Sequence, residues 1–203
     1  MRIGVFGGSF DPVHLGHLLV AENCREQRKL DEVWFIPAAV SPHKRHAPAE
    51  AHHRIEMLKL AVGGHEPFHV CIREIERGGV SYTVETLEQL HTEDPSRELF
   101  LILGADALED LPRWKDPQRI CELALPLVVC RAYAPDPDFS VLINLMSHDR
   151  IAAAQSAQVS MAPIGIASSD IRRRIAAGKS IRFRTPRAVQ KYIETHGLYQ
   201  QQL

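Results

Sequence analysis

Cysteine is scarce in this 203-residue chain. Its four copies, Cys24, Cys71, Cys121 and Cys130, stand far apart, and no Cys-x-x-Cys pair exists. That spacing argues against a zinc ribbon or a dithiol redox motif. Three of the four lie in apolar stretches and are expected to pack as small hydrophobes. Long hydrophobic runs are missing as well, and none approaches the length that spans a bilayer. Met1 leads straight into a short apolar run rather than a secretory leader, so the expectation is a cytoplasmic protein with no membrane partner. Net charge is almost absent: 24 Lys and Arg against 25 Asp and Glu leave −1, which argues against a nucleic-acid coat. Neither an internal repeat nor a linker interrupts the chain, so one domain over 1–203 is expected, long enough to bury a substantial core. His43, His46, His52 and His53 crowd one region, but no carboxylate or cysteine joins them in a ligand pattern, and no protein metal site is expected.

What is present begins at the N-terminus. Ile3, Val5 and Phe6 read as a short buried strand. The strand is expected to stop at Gly7-Gly8, where the chain can turn and its backbone can approach a ligand. Asp11-Pro12 is a turn signal. A helix then runs to about Lys29 with His14 and His17 in its first turn, three residues apart and so on one face. Gly16 between them is expected to leave room for a bulky ligand. A helix N-terminus favours an anion, and imidazoles aimed at a phosphate can donate to charge that grows in a transition state.

Further strands are expected at Val33–Ile36, Phe68–Ile72, Leu99–Leu103, Leu125–Val129 and Val159–Ala162. Helices are expected at Glu50–Val62, Val84–His91 and Pro117–Leu123, after Ser168 and after Thr185. Hydroxyls of Ser81 to Thr83, Ser168, Ser169 and Thr185 are placed to cap three of these helices. Residues 132–155 carry only a weak amphipathic pattern around Val141 to Met146. Strands alternating with helices predict an α/β fold with one doubly wound parallel sheet.

Several residues stand where such sheets bind ligands, after the carboxyl ends of strands. Gly104 and Asp106 follow the most apolar strand; the glycine admits a ribose or ring and the aspartate can accept from hydroxyls. Trp114 offers a flat face to an aromatic cation. Lys44 lies in the Pro37–Pro48 loop. Ser168, Ser169 and Arg172 combine hydroxyls, helix N–H groups and a guanidinium into a phosphate cradle. Arg172 also opens a basic stretch to Lys191 (Arg172, Arg173, Arg174, Lys179, Arg182, Arg184, Arg187, Lys191) that contains no acidic residue and points to a small anionic ligand.

The run Gly7-Gly8-Ser9-Phe10-Asp11-Pro12-Val13-His14-Leu15-Gly16-His17 resembles the signature of the nucleotidyltransferase superfamily with a His-x-Gly-His box. Within it the chain is similar, almost to its last residue, to bacterial nicotinate-mononucleotide adenylyltransferases. Matching stretches are Ser41-Pro42-His43-Lys44, Ser81-Tyr82-Thr83-x-x-Thr86-Leu87, Ile166-Ala-Ser-Ser-Asp-Ile-Arg172 and Tyr192-Ile193-x-x-His196-Gly197-Leu198-Tyr199. The family carries Ile-Ser-Ser-Thr-x-Ile-Arg at the third, so Ala167 lacks one hydroxyl that the pattern supplies, while Ser169 keeps one.

The resemblance implies a Rossmann-like fold and transfer of AMP from ATP to nicotinate mononucleotide, giving deamido-NAD and pyrophosphate. His14 and His17 are the implied catalytic pair. Gly7, Gly8, Ser9, Phe10, Lys44, Gly104, Asp106, Ser168, Ser169 and Arg172 are the implied ATP contacts, and Thr83, Thr86 and Trp114 those of the nicotinate side. Mg²⁺ is expected to travel with ATP. Oligomeric state stays open, a homo-oligomer included. The alternatives are transfer to nicotinamide mononucleotide or phosphopantetheine, cytidylyl transfer, and a nucleotide sensor without turnover. Thr83, Thr86 and Trp114 argue against phosphopantetheine and cytidylyl transfer; His14, His17 and Arg172 argue against the sensor.

Overall fold

The computed structural model describes residues 1–40, 49–131 and 136–200. In chain order these form β1 (Arg2–Gly8), α1 (Leu15–Arg28), β2 (Glu32–Pro37), α2 (Ala51–Val62), β3 (Phe68–Val70), α3 (Arg73–Arg77), α4 (Thr83–Glu93), β4 (Glu98–Gly104), α5 (Ala105–Asp110), α6 (Pro117–Leu123), β5 (Ala124–Arg131), α7 (His148–Ser156), β6 (Val159–Met161), α8 (Ser168–Ala176) and α9 (Arg187–Thr195). Single 3₁₀ turns sit at Leu111–Arg113 and Phe139–Leu142. The strands make one sheet in the order β3-β2-β1-β4-β5-β6. Pairs β1–β4, β4–β5 and β5–β6 are parallel, with Ile3 beside Leu99 and Leu101 beside Pro126. This is the doubly wound order, reversing where β1 meets β4. Among the described residues no helix is long and apolar enough to cross a membrane.

The chain divides into two compact units. The first holds Met1–Gly7, Val20–Trp34 and Tyr82–Pro163; the second holds Gly8–Leu19, Phe35–Ser81 and Ile164–Leu203. The first unit's core is Ile3 and Val5 of β1, Leu99 to Leu103 of β4, Leu127 and Val128 of β5, and Val84, Leu87 and Leu90 from α4. Runs apolar on both faces suit strands of a parallel sheet covered on both sides. The second unit buries Phe10, Phe35, Met57, Leu58, Ile171, Val189 and Ile193. Phe35 sits with its ring centroid 5.6 Å from Phe10 and 5.3 Å from Phe68.

Four local expectations are corrected. First, β1 ends at Gly8, within the expected glycine pair, but the chain does not turn there. The turn comes later, at Phe10 with φ 47° and at a cis Asp11–Pro12 peptide, and α1 starts only at Leu15, one residue after His14. Second, the hydroxyls do not cap. Tyr82, Ala167 and Pro186 occupy the cap positions of α4, α8 and α9, none with a side-chain bond. The hydroxyls of Ser81, Ser168 and Thr185 are spent on tertiary contacts instead. Ser81 Oγ accepts from Ala39 N–H at 2.8 Å, Ser168 Oγ donates to the Pro12 carbonyl at 2.9 Å, and Thr185 Oγ1 donates to that of Val13 at 2.9 Å. Third, α7 fills part of the weakly patterned stretch; Ser147 Oγ caps it by accepting from Arg150 N–H at 3.4 Å. Its Ala152–Ala154 run is strongly helix-forming, a signal that periodicity alone overlooks. Fourth, the short α3 was not expected.

Candidate active site

The second unit carries a spacing device that explains the pattern of residues 8 to 17. A Cβ on Gly8 would stand 3.1 Å from the tip of the Phe10 ring, so glycine is the residue that lets this ring fold back into the core. Phe10 then meets His17 edge-on, with centroids 5.0 Å apart. His17 lies parallel to His14, centroids 3.7 Å apart and planes within 20°. A Cβ on Gly16 would come within 3.0 Å of His14 Nδ1 and Cε1. The space at Gly16 is therefore filled by the His14 ring, not kept open for a ligand as expected.

The two histidines also cap each other. His14 N–H donates to His17 Nδ1 at 3.2 Å, and His17 N–H donates to His14 Nδ1 at 3.3 Å. The pattern has the reciprocity of a capping box, with imidazoles in place of hydroxyl and carboxylate. A nitrogen that accepts from a backbone N–H carries no proton, so each neutral ring holds its proton on Nε2. Both side chains are thus preset as Nε2–H donors. His14 is only 6% exposed, and burial lowers its pKa to about 4, partly offset by its backbone hydrogen bond.

That depression has a consequence for stability. The unfolded chain takes up the His14 proton near pH 6.5, while the folded protein resists it down to about pH 4. The stabilisation is present above pH 6.5, falls as the pH drops toward 4, and amounts to about 3 kcal/mol at most. Urea denaturation from pH 7 to pH 4.5 should show a steeper loss for the natural protein than for His14→Asn. Equal slopes in the two proteins would remove His14 as the cause.

Around this pair, Asp11 gathers distant segments. The residue is 4% exposed, and its Oδ1 accepts from Tyr199 Oη at 2.6 Å and from Ala49 N–H at 3.0 Å. Its carbonyl accepts from Arg172 Nη1 at 2.6 Å, and that same nitrogen is 3.7 Å from Asp11 Oδ2. Ser168 Oγ brings the start of α8 to Pro12. Arg54, 1% exposed, donates from Nη1 to the Ser9 carbonyl and from Nε to the Ala49 carbonyl, both at 3.0 Å. Burial lowers its pKa, opposed by the nearby Asp11 carboxylate. The second unit therefore brings His14, His17, Ser168, Ser169 and Arg172 to one turn, although 155 positions separate His14 from Ser169. Ser169 is exposed in the first turn of α8, whose N–H groups have no side-chain cap.

A model of the cytidylyltransferase-like family matches residues 5–174. The chain belongs to that family. One relative, named as a probable nicotinate-nucleotide adenylyltransferase of Thermus thermophilus, is 45% identical over 200 residues, covering 98% of this chain and 100% of the relative. Another of the same name from Rhodopirellula baltica is 43% identical over 198 residues, covering 97% and 92%. Among solved structures, the nicotinic acid mononucleotide adenylyltransferase of Plasmodium falciparum, complexed with NaAD, shares the fold. Its TM-score is 0.75 at 17% identity, over 98% of this chain and 97% of that one.

Other expected site residues of this cytidylyltransferase-like chain are placed as follows. Gly7 and Gly8 end β1, and neither has a positive φ. Phe10 is core, so its contribution is to seat His17 rather than to touch a nucleotide with its ring. The Ser168 hydroxyl proton is committed to Pro12. In the first unit, Gly104 ends β4, exposed, with nothing within 4 Å of a Cβ added there, and Asp106 is exposed in the first turn of α5. Among the described residues no contact requires glycine at 104. Thr83 opens α4, half-buried, and Thr86 lies one turn on at 1% exposed. Trp114 is half-buried, its backbone N–H donating to the Leu111 carbonyl at 3.0 Å. Lys44 lies outside the described residues. Most of the basic stretch is used locally: Arg173 and Arg184 pair with Asp170 at 3.2 and 3.3 Å, and Arg174 donates to the Ser180 carbonyl.

Asp11, Arg54 and Tyr199 were missed as site residues. An Asp before Pro reads as a turn, an Arg in an amphipathic helix reads as surface, and a Tyr near the end reads as tail. The Arg54–Ser9 and Asp11–Tyr199 bonds span 45 and 188 positions, beyond any local pattern.

Proposed function

We infer that the chain is a nicotinate-nucleotide adenylyltransferase. It transfers AMP from ATP to nicotinate mononucleotide and releases deamido-NAD and pyrophosphate. The reading is supported by the gathering of two Nε2–H donors, an uncapped α8 start and a guanidinium at the Asp11–Pro12 turn, together with relatives of that name along the whole chain. These groups are donors, and a polyphosphate offers only acceptors.

In this reading a 5′-phosphate oxygen of the mononucleotide attacks the α-phosphorus of ATP in line. The bond from that phosphorus to the bridging oxygen breaks, and pyrophosphate leaves with the electron pair. Phosphate is already a competent nucleophile, so no base or covalent intermediate is needed, and catalysis is positioning plus charge stabilisation. His14 and His17 donate from Nε2 to the α- and β-phosphates. Arg172, Ser169, Lys44 and the first N–H groups of α8 hold the rest of the triphosphate. The Gly7–Phe10 backbone faces the nucleotide, and Gly104 and Asp106 serve its ribose. Thr83, Thr86 and the start of α4 take the nicotinate carboxylate, with Trp114 stacked on the ring. The 203 residues act as one nucleotidyltransferase domain in the cytoplasm.

Among the described residues no group of three or more His, Cys, Asp or Glu is placed to hold a metal ion. Asp11, the carboxylate of this site, is already bonded to Tyr199 and Ala49. The donor set suits phosphate, and Mg²⁺ would accompany ATP, held mostly by ATP and water, where it would neutralise phosphate charge.

Pyrophosphate release with ATP and each of nicotinate mononucleotide, nicotinamide mononucleotide and phosphopantetheine, and with CTP in place of ATP, tests the assignment. Turnover fastest with any pair other than ATP and nicotinate mononucleotide would replace it. Arg172 gives a separate check. Arg172→Ala should weaken ATP by about 1.5–3 kcal/mol, the range for a hydrogen bond to a charged group. Arg172→Lys should recover only part, since one ammonium cannot both hold the Asp11 carbonyl and face phosphate as a fork does. Unchanged calorimetric affinity in both would leave Arg172 a purely structural tie.

A further inference from the structure

Tyr199 lies far from the signature in sequence, yet it ends on the buried carboxylate at the centre of the phosphate site. Its hydroxyl donates to Asp11 Oδ1 at 2.6 Å, one of the shortest side-chain bonds of the second unit. Its backbone sits at φ 64°, a left-handed conformation that a tyrosine adopts only when its surroundings hold it there. Burial and the Asp11 charge push its pKa up, so the hydroxyl keeps its proton and remains a donor. Asp11 also faces Arg172, with Nη1 on its carbonyl and near Oδ2, and the Ala49 N–H. Arg54 is also near, bonded to the Ser9 carbonyl and interacting electrostatically with Asp11.

A buried carboxylate flanked by two arginines must be held in one orientation to act on either. With Oδ1 occupied by Tyr199 and Ala49, Oδ2 is left toward Arg172. Arg172 Nη1 is thereby drawn to the Asp11 side, and the rest of its fork is left for another ligand. Without the tyrosine hydroxyl, Oδ1 becomes an acceptor short of one donor, and Arg172 can take it. The guanidinium would then be pulled off its phosphate-facing position.

We propose that Tyr199 is a positioning residue for nucleotide binding: through Asp11 it sets the orientation of Arg172, so the segment after α9 belongs to the ATP phosphate site. This rests on the adenylyltransferase reading for the identity of the ligand as ATP. Tyr199 touches no substrate; it acts through the carboxylate. The same bond fixes the Asp11 to His14 segment, so a loss at Tyr199 should reach ATP affinity first and kcat second.

The test is a double-mutant cycle on the full chain, with Tyr199→Phe and Arg172→Ala, reading the ATP dissociation constant by calorimetry without acceptor. Tyr199→Phe removes one atom. It is expected to weaken ATP by about 5- to 20-fold in the natural background and by less than about 2-fold in the Arg172→Ala background, because neighbours that share a partner are not additive. A merely structural tyrosine would weaken ATP equally in both backgrounds, or not at all, and either result overturns the proposal. Asp11→Asn, which keeps an acceptor for the tyrosine but loses the charge toward Arg172, is the second variant. It should weaken ATP to a similar extent and add nothing to Tyr199→Phe; additive losses would count against the relay. Binding of ATP without acceptor keeps this result separate from the choice of acceptor. If the unmutated protein binds ATP but does not turn over nicotinate mononucleotide, the reaction assignment fails while the relay is still tested.

Discussion

Replacing His17 by alanine is expected to lower kcat by about 10²-fold or more while changing ATP affinity much less. The reason lies in when the charge appears. In the proposed reaction the ground-state phosphates would be solvated or shared with Arg172 and the α8 start. Only as the bond to the bridging oxygen lengthens does negative charge accumulate there, and an Nε2–H aimed at it is worth most at that moment. The reciprocal bonds to Nδ1 fix both tautomers before substrate arrives, and Phe10 fixes the ring plane of His17 from the core side. Stacked imidazoles 3.7 Å apart are also compatible with neutral rings and poorly with two imidazolium ions. Alanine removes the cap on His14 N–H as well, so His17→Asn is the matched control. Its amide oxygen can still accept that N–H but offers no donor at the Nε2 position. kcat should stay low in His17→Asn, with melting temperature closer to that of the natural protein than in His17→Ala. Gly16→Ala should reach the same deficit by another route, since its Cβ would displace the His14 ring. A His17→Ala enzyme with near-normal kcat would take this pair out of the chemistry.

The choice of acceptor carries an effect of similar size. Nicotinate and nicotinamide mononucleotides differ only in carboxylate against amide. The start of α4 has Tyr82 at the cap position with no side-chain cap bond, and in the proposed site its N-terminal end and the Thr83 and Thr86 hydroxyls, one turn apart, would face the carboxylate. A carboxylate accepts at both oxygens, and its charge is favoured by the helix dipole. An amide turns its NH₂ toward one of those donors. The mismatch costs about 1–3 kcal/mol, and the lost charge assistance adds to it. kcat/KM should therefore favour the nicotinate form by at least about 10²-fold, or 2.7 kcal/mol. Thr86→Val should narrow the ratio. Trp114→Ala should weaken both acceptors alike, because the stacked ring is the same in each. Comparable kcat/KM values for the two acceptors in the natural protein would make it a dual-specificity enzyme and overturn the role given to α4.

Much of the fold was legible because local rules and tertiary packing agree there. The apolar runs of β1, β4 and β5, the turn signals and the 3.6-residue periodicity of α2 and α4 led to the right elements and the right sheet class, since hydrophobic burial is what those patterns encode. The caps failed for the opposite reason. Ser81, Ser168 and Thr185 have the hydroxyls that caps favour, but each finds a partner far along the chain, and a tertiary bond outweighs a local one when it ties two segments of the core.

By itself the sequence determined that strands alternate with helices around one sheet, that two histidines three residues apart stand at the start of the first helix, and that the whole length resembles one nucleotidyltransferase family. Tertiary structure alone decided why Gly8 and Gly16 are glycines, which nitrogen of each histidine carries its proton, and that Asp11, Arg54 and Tyr199 support the site. Those facts depend on rings and carboxylates meeting across as many as 188 positions. No periodicity encodes that distance, because it arises only when the apolar faces of separate segments are buried together.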